Sequence, residues 1–148
     1  MVGYPFGLDY GWLGCDADGH VAVFTSAGEG LIPLSIIAAR PTADKAEELV
    51  EQLPVRGEFQ PPPDRQLQSF AEFASRGFYS YDWPDIFRST LVRSSRYELM
   101  VRPALPALLS ELPSEIASLA LLARFGSLRF AKAVEIAIQD HLECWPAS

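Results

Sequence analysis

Apolar and polar positions along the first part of the chain define a hairpin. Residues 16–19, Asp-Ala-Asp-Gly, suit a type I turn closed by a left-handed residue, because aspartate accepts backbone hydrogen bonds at a turn entry and glycine tolerates positive φ. Such a turn pairs Asp16 with His20. Counting outward sets Cys15 against Val21, Gly14 against Ala22, Leu13 against Val23 and Trp12 against Phe24. Alternation then puts Leu13, Cys15, Val21 and Val23 on one side and Trp12, Gly14, Ala22 and Phe24 on the other. Neither side is polar, so the pattern predicts a hairpin covered on both faces, inside a sheet rather than at its rim. Trp12 across from Phe24 forms the aromatic centre of one layer.

The remaining pattern supplies elements to cover that hairpin. Residues 1–9 carry two glycines and a proline among aromatics and read as an arm pinned by Tyr4 and Phe6. Residues 26–30 form a glycine-spaced bend that fails as a phosphate loop: no Lys follows, Glu29 repels a phosphate, and residues 31–33 do not open a helix. Residues 34–39 are apolar but too short for periodicity to choose between strand and helical turn. Residues 41–53 predict a helix with Thr42 as N-cap and Ala43, Ala46, Leu49, Val50 and Leu53 on one face, with Asp44, Glu47 and Glu48 toward its positive end. Residues 55–63, with three consecutive prolines, make a stiff connector. Asp64 caps a second helix whose Leu67, Phe70, Ala71 and Ala74 face the core, and Gly77 ends it. Residues 78–83 follow as a strand with Tyr79, Tyr81 and Trp83 on one face, and residues 97–102 as another with Tyr97, Leu99 and Val101 inward. A helix begins near Pro113. Residues 121–138 read as a second hairpin about Gly126 and Ser127, although residues 131–142 suit a C-terminal helix equally well. The prediction is an α+β fold, a mainly antiparallel sheet with a central N-terminal hairpin and two to four helices packed on it, in a single globular domain spanning 1–148.

Composition narrows the function classes. A hydrophobic fraction of 49% with three Trp, nine Phe and five Tyr argues for a packed interior rather than disorder. Twelve Lys plus Arg against nineteen Asp plus Glu leave a net charge of −7, which disfavours nucleic acid and anionic lipid and leaves basic proteins as plausible partners. Cys15 and Cys144 sit in no CxxC pattern, so free thiols in a reducing compartment are expected. The N-terminus lacks the basic and apolar regions of a signal peptide, and no window approaches 18 uninterrupted apolar residues, so the expected compartment is the cytoplasm and no membrane is involved.

Candidate chemistry is sparse. Asp16, Asp18 and His20 lie close enough in sequence to form a small metal site, but the later oxygen ligands of a calcium loop are missing, and Asp and Gly are ordinary turn residues; no metal is expected. His141 and Cys144 stand three apart near a terminus expected to fray. Arg88, Arg93 and Arg96 read as a solvated loop pairing with acidic neighbours. No G-x-S-x-G elbow, HExxH or dinucleotide fingerprint occurs, so neither a cofactor nor a catalytic set is expected. Surface suited to a basic partner remains. The acidic turn at Asp16 and Asp18, Glu29, and the strand end at Asp82, Trp83 and Asp85 combine negative charge with apolar area and are the candidate partner-binding residues.

The run D-x-D-G-H-V-A-V-F-T-S-A-G-E-G-L-I-P, followed by an acidic helix and then G-F-Y-S-Y-D, resembles a pattern in small bacterial proteins, some of which resemble the immunity proteins that sit beside secreted or contact-delivered toxins. The likeness covers about half of the chain. It implies a cytoplasmic, non-catalytic protein that masks a basic toxin domain with acidic groups. An alternative is a small enzyme or ligand-binding domain with a pocket beneath the aromatic strands, and a homodimeric structural subunit is a third.

Overall fold

The computed structural model describes residues 4–5, 7–58, 60, 62–84 and 95–145. Strands β1 (Gly11–Asp16) and β2 (Val21–Thr25) form the antiparallel hairpin, with Trp12 opposite Phe24 and Cys15 opposite Val21, in the register that alternation requires. Asp16 Oδ1 accepts the N–H groups of both Asp18 and His20 at 2.9 Å, and Gly19 takes a φ of 80°. The chain continues through β3 (Ile32–Pro33), α1 (Leu34–Ala38), α2 (Ala46–Glu51), α3 (Arg65–Ser75), β4 (Tyr79–Asp82), β5 (Tyr97–Val101), α4 (Ser114–Ala120), β6 (Arg124–Phe125), β7 (Glu135–Ile136) and β8 (Cys144–Trp145). The main sheet runs β6-β1-β2-β4-β5-β7, and β3 pairs with β8 in a separate ribbon. The fold is α+β with a mostly antiparallel sheet; β1 with β6 and β2 with β4 are its parallel pairs. The hairpin therefore lies inside the sheet, and every residue of both strands is buried.

Two different kinds of structure cover its faces. Helices α2 and α4 pack on β1, and α3 on β4 and β5. Ser80 donates its hydroxyl to the Phe70 carbonyl of α3 at 2.8 Å, while the neighbouring Tyr79 and Tyr81 rings meet Phe130, so α3 and Phe130 lie on opposite faces of β4. On the Phe130 side, Trp12 stacks on Phe24 with ring centres 4.2 Å apart, and Phe24 on Tyr81 at 5.1 Å. Tyr97 stands edge-on to Trp12 and Phe24. The polar tips are satisfied. Tyr97 donates its hydroxyl to the Leu31 carbonyl at 2.7 Å and accepts the Trp12 indole N–H, and Tyr81 donates to the Ala133 carbonyl at 2.7 Å.

Residues 121–145 depart from both sequence expectations. They form neither a hairpin about Gly126 nor a C-terminal helix: short 3-10 turns at Phe130–Lys132 and Ile138–Asp140 separate two-residue strands. Sheet order explains this, because β6 pairs with β1 and β7 with β5, at opposite edges. The segment must cross the aromatic face, delivering Phe125, Phe130, Ile136 and Ile138 to the core, which one regular element does not do. Arg124 and Arg129 are thereby spared a direct pairing.

Smaller differences have local causes. The helix expected over 41–53 divides into a 3-10 turn, Thr42–Lys45, and α2; Thr42 lies inside the turn and is not its N-cap. Its buried face, Ala43, Ala46 and Val50, is the one the spacing gives. Residues 34–38 are helical as α1. Asp64 caps α3 by accepting the Gln66 N–H at 2.8 Å, although Phe73 rather than Phe70 is the fully buried aromatic of this helix. In the arm, Tyr4 donates its hydroxyl to the Gly30 carbonyl, and Phe6 lies outside the described residues.

Gly77 joins α3 to β4 with a φ of 94°, and a Cβ there would come within 2.7 Å of both the Cβ and the backbone N of Ala107. Gly77→Ala is therefore expected to lose about 1–3 kcal/mol in urea unfolding. Gly19→Ala, at a φ of 80° with open space around it, is expected to lose less. Equal losses would contradict the crowding at Ala107.

Candidate functional site

The residues singled out from sequence separate into two groups at opposite ends of β2. At the turn end, Asp16 is buried: besides the two turn N–H groups on Oδ1, its Oδ2 accepts the Phe130 N–H at 2.8 Å. This carboxylate is committed to the fold rather than offered to a partner. Asp18 is exposed, with Arg129 Nε 3.6 Å from its Oδ1. Ligand atoms of Asp16, Asp18 and His20 lie within 4.8 Å of one another, but three backbone N–H groups on Asp16 and a guanidinium beside Asp18 make this turn geometry.

At the other end, Thr25 pairs with Asp82 across β2 and β4, and its hydroxyl donates to Asp82 Oδ1 at 2.7 Å. Asp82 is buried as well. Trp83 is half-buried, edge-on to Tyr97 at 5.1 Å and packed over Gly30, where a Cβ would fall 2.7 Å from the indole Cγ. Glu29 is exposed in the same bend. Asp85, Arg88 and Arg93 lie outside the described residues, and Arg96 pairs with Glu135 at 3.3 Å.

Sequence reasoning did not gather the carboxylates that the fold adds at this open end. Asp9 precedes β1 and accepts the Ala27 N–H at 3.0 Å, tying the arm to the bend that carries Glu29. Glu47, on α2, lies over Gly11, so that a Cβ at position 11 would overlap its carboxyl group. Glu51 follows one turn later. Burial, and then the charges of Asp9 and Glu51, push the Glu47 carboxyl up to about 7. Among the described residues, none of these three carboxylates is ion-paired. Asp44, three residues before Glu47, is different. Burial raises it, but the hydrogen bond from Arg40 Nε at 2.6 Å, with the Tyr10 hydroxyl nearby, outweighs burial and holds it below its usual range. The Arg40 guanidinium in turn lies 5.1 Å from the centre of the Tyr10 ring. The i, i+4 spacing of Glu47 and Glu51 was a readable sign of repulsion, whereas the approach of Asp9 depends on how the arm folds back.

Trp12 and Phe24 are wholly buried, at 0% exposure. Cys15 and Cys144 are free thiols, and burial pushes Cys144 up to about 12, leaving little thiolate at neutral pH. His141 is taken up edge-on against the Phe125 ring at 5.6 Å. No helix among the described residues is long and apolar enough to cross a membrane. Compared with family models, curated proteins and solved structures, the chain matches none of them.

Two measurements check these assignments. Asp16→Ala strands the buried Phe130 N–H and should lose about 1–3 kcal/mol for that group alone, whereas Asp18→Ala should change urea stability by under about 1 kcal/mol. For Glu47, the unfolded chain ionises near the ordinary 4.5 while the folded chain keeps the proton to about 7. Stability therefore falls as pH rises between those values and levels off above them. Glu47→Gln should melt like the parent at pH 4 and increasingly above it up to pH 7; a melting difference independent of pH would contradict the burial of this carboxyl.

Proposed function

We propose that this chain is a non-catalytic binding module that presents the acidic open end of its sheet to a basic protein surface, in the manner of the immunity-like proteins its hairpin sequence resembles. Glu47 carries this reading. Burial raises Glu47 most, and the charges of Asp9 and Glu51 add to it, to about 7, so the fold carries a smaller repulsive part that cations of a partner would relieve. Exposed Glu29 extends the negative surface, and half-buried Trp83 beside it supplies the aromatic area that interface centres favour. The net charge of −7 speeds encounter with a basic partner at low salt. Asp16 and Asp82 serve instead as internal fasteners of this scaffold.

The partner to test is a toxin, to be sought in the gene that neighbours the one for this chain. Co-expression with this chain is expected to relieve growth arrest, and the purified pair is expected to associate more slowly as salt rises. The triple variant Asp9→Asn, Glu47→Gln, Glu51→Gln should reduce the association rate about tenfold or more at low salt and flatten its salt dependence. Binding at pH 6.5 should also release protons, seen by calorimetry in buffers of different ionisation enthalpy, since a cation beside Glu47 lowers its pKa. A chain that leaves the arrest intact, or binding indifferent to salt and to these substitutions, would overturn the proposal.

A further inference from the structure

A cavity of about 600 Å³ opens between α3, β5 and the connector that precedes α3, near the turn end of the sheet and away from the acidic residues. That volume is in the range of small-molecule sites. Its walls are apolar where Leu67, Ala71 and Ala74 of α3 face Leu99 and Val101 of β5. Its charged lining is Arg56 and Arg102 against Glu58, a positive balance in a chain whose net charge is −7. Arg56 is fixed in place: its backbone N–H donates to the Ser75 carbonyl at 2.7 Å, and its side-chain stem passes Gly77, where a Cβ would fall 3.0 Å from Arg56 Cδ.

The guanidinium is incompletely used. Glu111 Oε2 stands 3.5 Å from Arg56 Nη2, while Glu111 Oε1 is held by the Leu108 N–H at 2.8 Å. Tethered in this way, Glu111 engages one corner of the fork, and Arg56 Nε is buried without an acceptor among the described residues. A buried donor without a partner is costly; with Nε shielded and Nη2 facing Glu111, the remaining N–H groups of this one-third-exposed side chain are the ones that meet a carboxylate. We propose that this cavity binds a small amphipathic carboxylate, its apolar body between α3 and β5 and its carboxylate on Arg56, with Arg102 adding positive charge at the rim. The site is separate from the acidic end, so either proposal can fail without the other.

Decanoate, titrated into the full chain below its micelle-forming concentration, is the probe, with decanol as the uncharged control of equal length. Saturable binding is expected by calorimetry, with amide shifts in NMR spectra centred on Leu67, Ala71, Leu99 and Val101. Decanol and the Arg56→Gln variant should each weaken binding about tenfold or more. Leu67→Trp, which fills the cavity from the α3 side, should abolish binding while the melting temperature is unchanged or raised, so a loss of binding is not mistaken for a loss of fold. No saturable binding, equal affinity for decanoate and decanol, or full affinity in both variants would overturn the proposal.

Discussion

Phe24 is the ring on which the arrangement of this protein depends. It stacks between Trp12 and Tyr81, meets Tyr97 and Phe130 edge-on, and touches Phe125, so four strands and the crossing C-terminal segment converge on one side chain. The physical constraint behind this is simple. A hairpin apolar on both sides must have two covers, and the chain builds one from helices and the other from irregular structure. Irregular backbone over a core is tolerable only when its polar groups find partners, and here Asp16 Oδ2, Tyr81 and Tyr97 supply them to Phe130, Ala133 and Leu31.

A closed core moves function to the ends of the sheet. The turn end gathers Arg56, Arg102 and Arg129, and the open end gathers Asp9, Glu29, Glu47 and Glu51. The open end is thereby matched to a protein surface, while at the turn end the arginines lie beside Asp18, Glu58 and Glu111 and Arg56 is offered to a small anion. In both places the supporting observation is a polar group that the fold itself leaves poorly served: a crowded carboxyl at Glu47 and an unaccepted N–H at Arg56.

Local chemistry made the hairpin readable from sequence. Asp16 and Gly19 dictate the turn, and a period of two then dictates the register from Trp12 to Phe24. Asp64 and Gly77 marked the ends of α3 for the same reason, since caps act through neighbouring residues. What sequence did not reveal is long-range. The partner of Asp16 Oδ2 lies 114 residues away at Phe130, and the parallel pairing of β2 with β4 leaves no local signature. Even-numbered apolar residues between 128 and 138 suggested a strand because insertion from successive 3-10 turns can mimic a period of two. Among the candidate site residues, Asp16 and Asp82 looked exposed because acidic residues usually are, yet hydrogen-bond partners make their burial favourable. Glu47 was legible as a helix residue but not as a neighbour of Asp9.

The claim that the open end holds its carboxylates under mutual repulsion is tested most directly by following the Glu47 side-chain carboxyl carbon by NMR across pH. A midpoint near 7 that moves down in the Asp9→Asn, Glu51→Gln double variant, yet stays raised by the burial that remains, is the result this account predicts. A midpoint unmoved by those substitutions, whether close to 4.5 or raised, would contradict it.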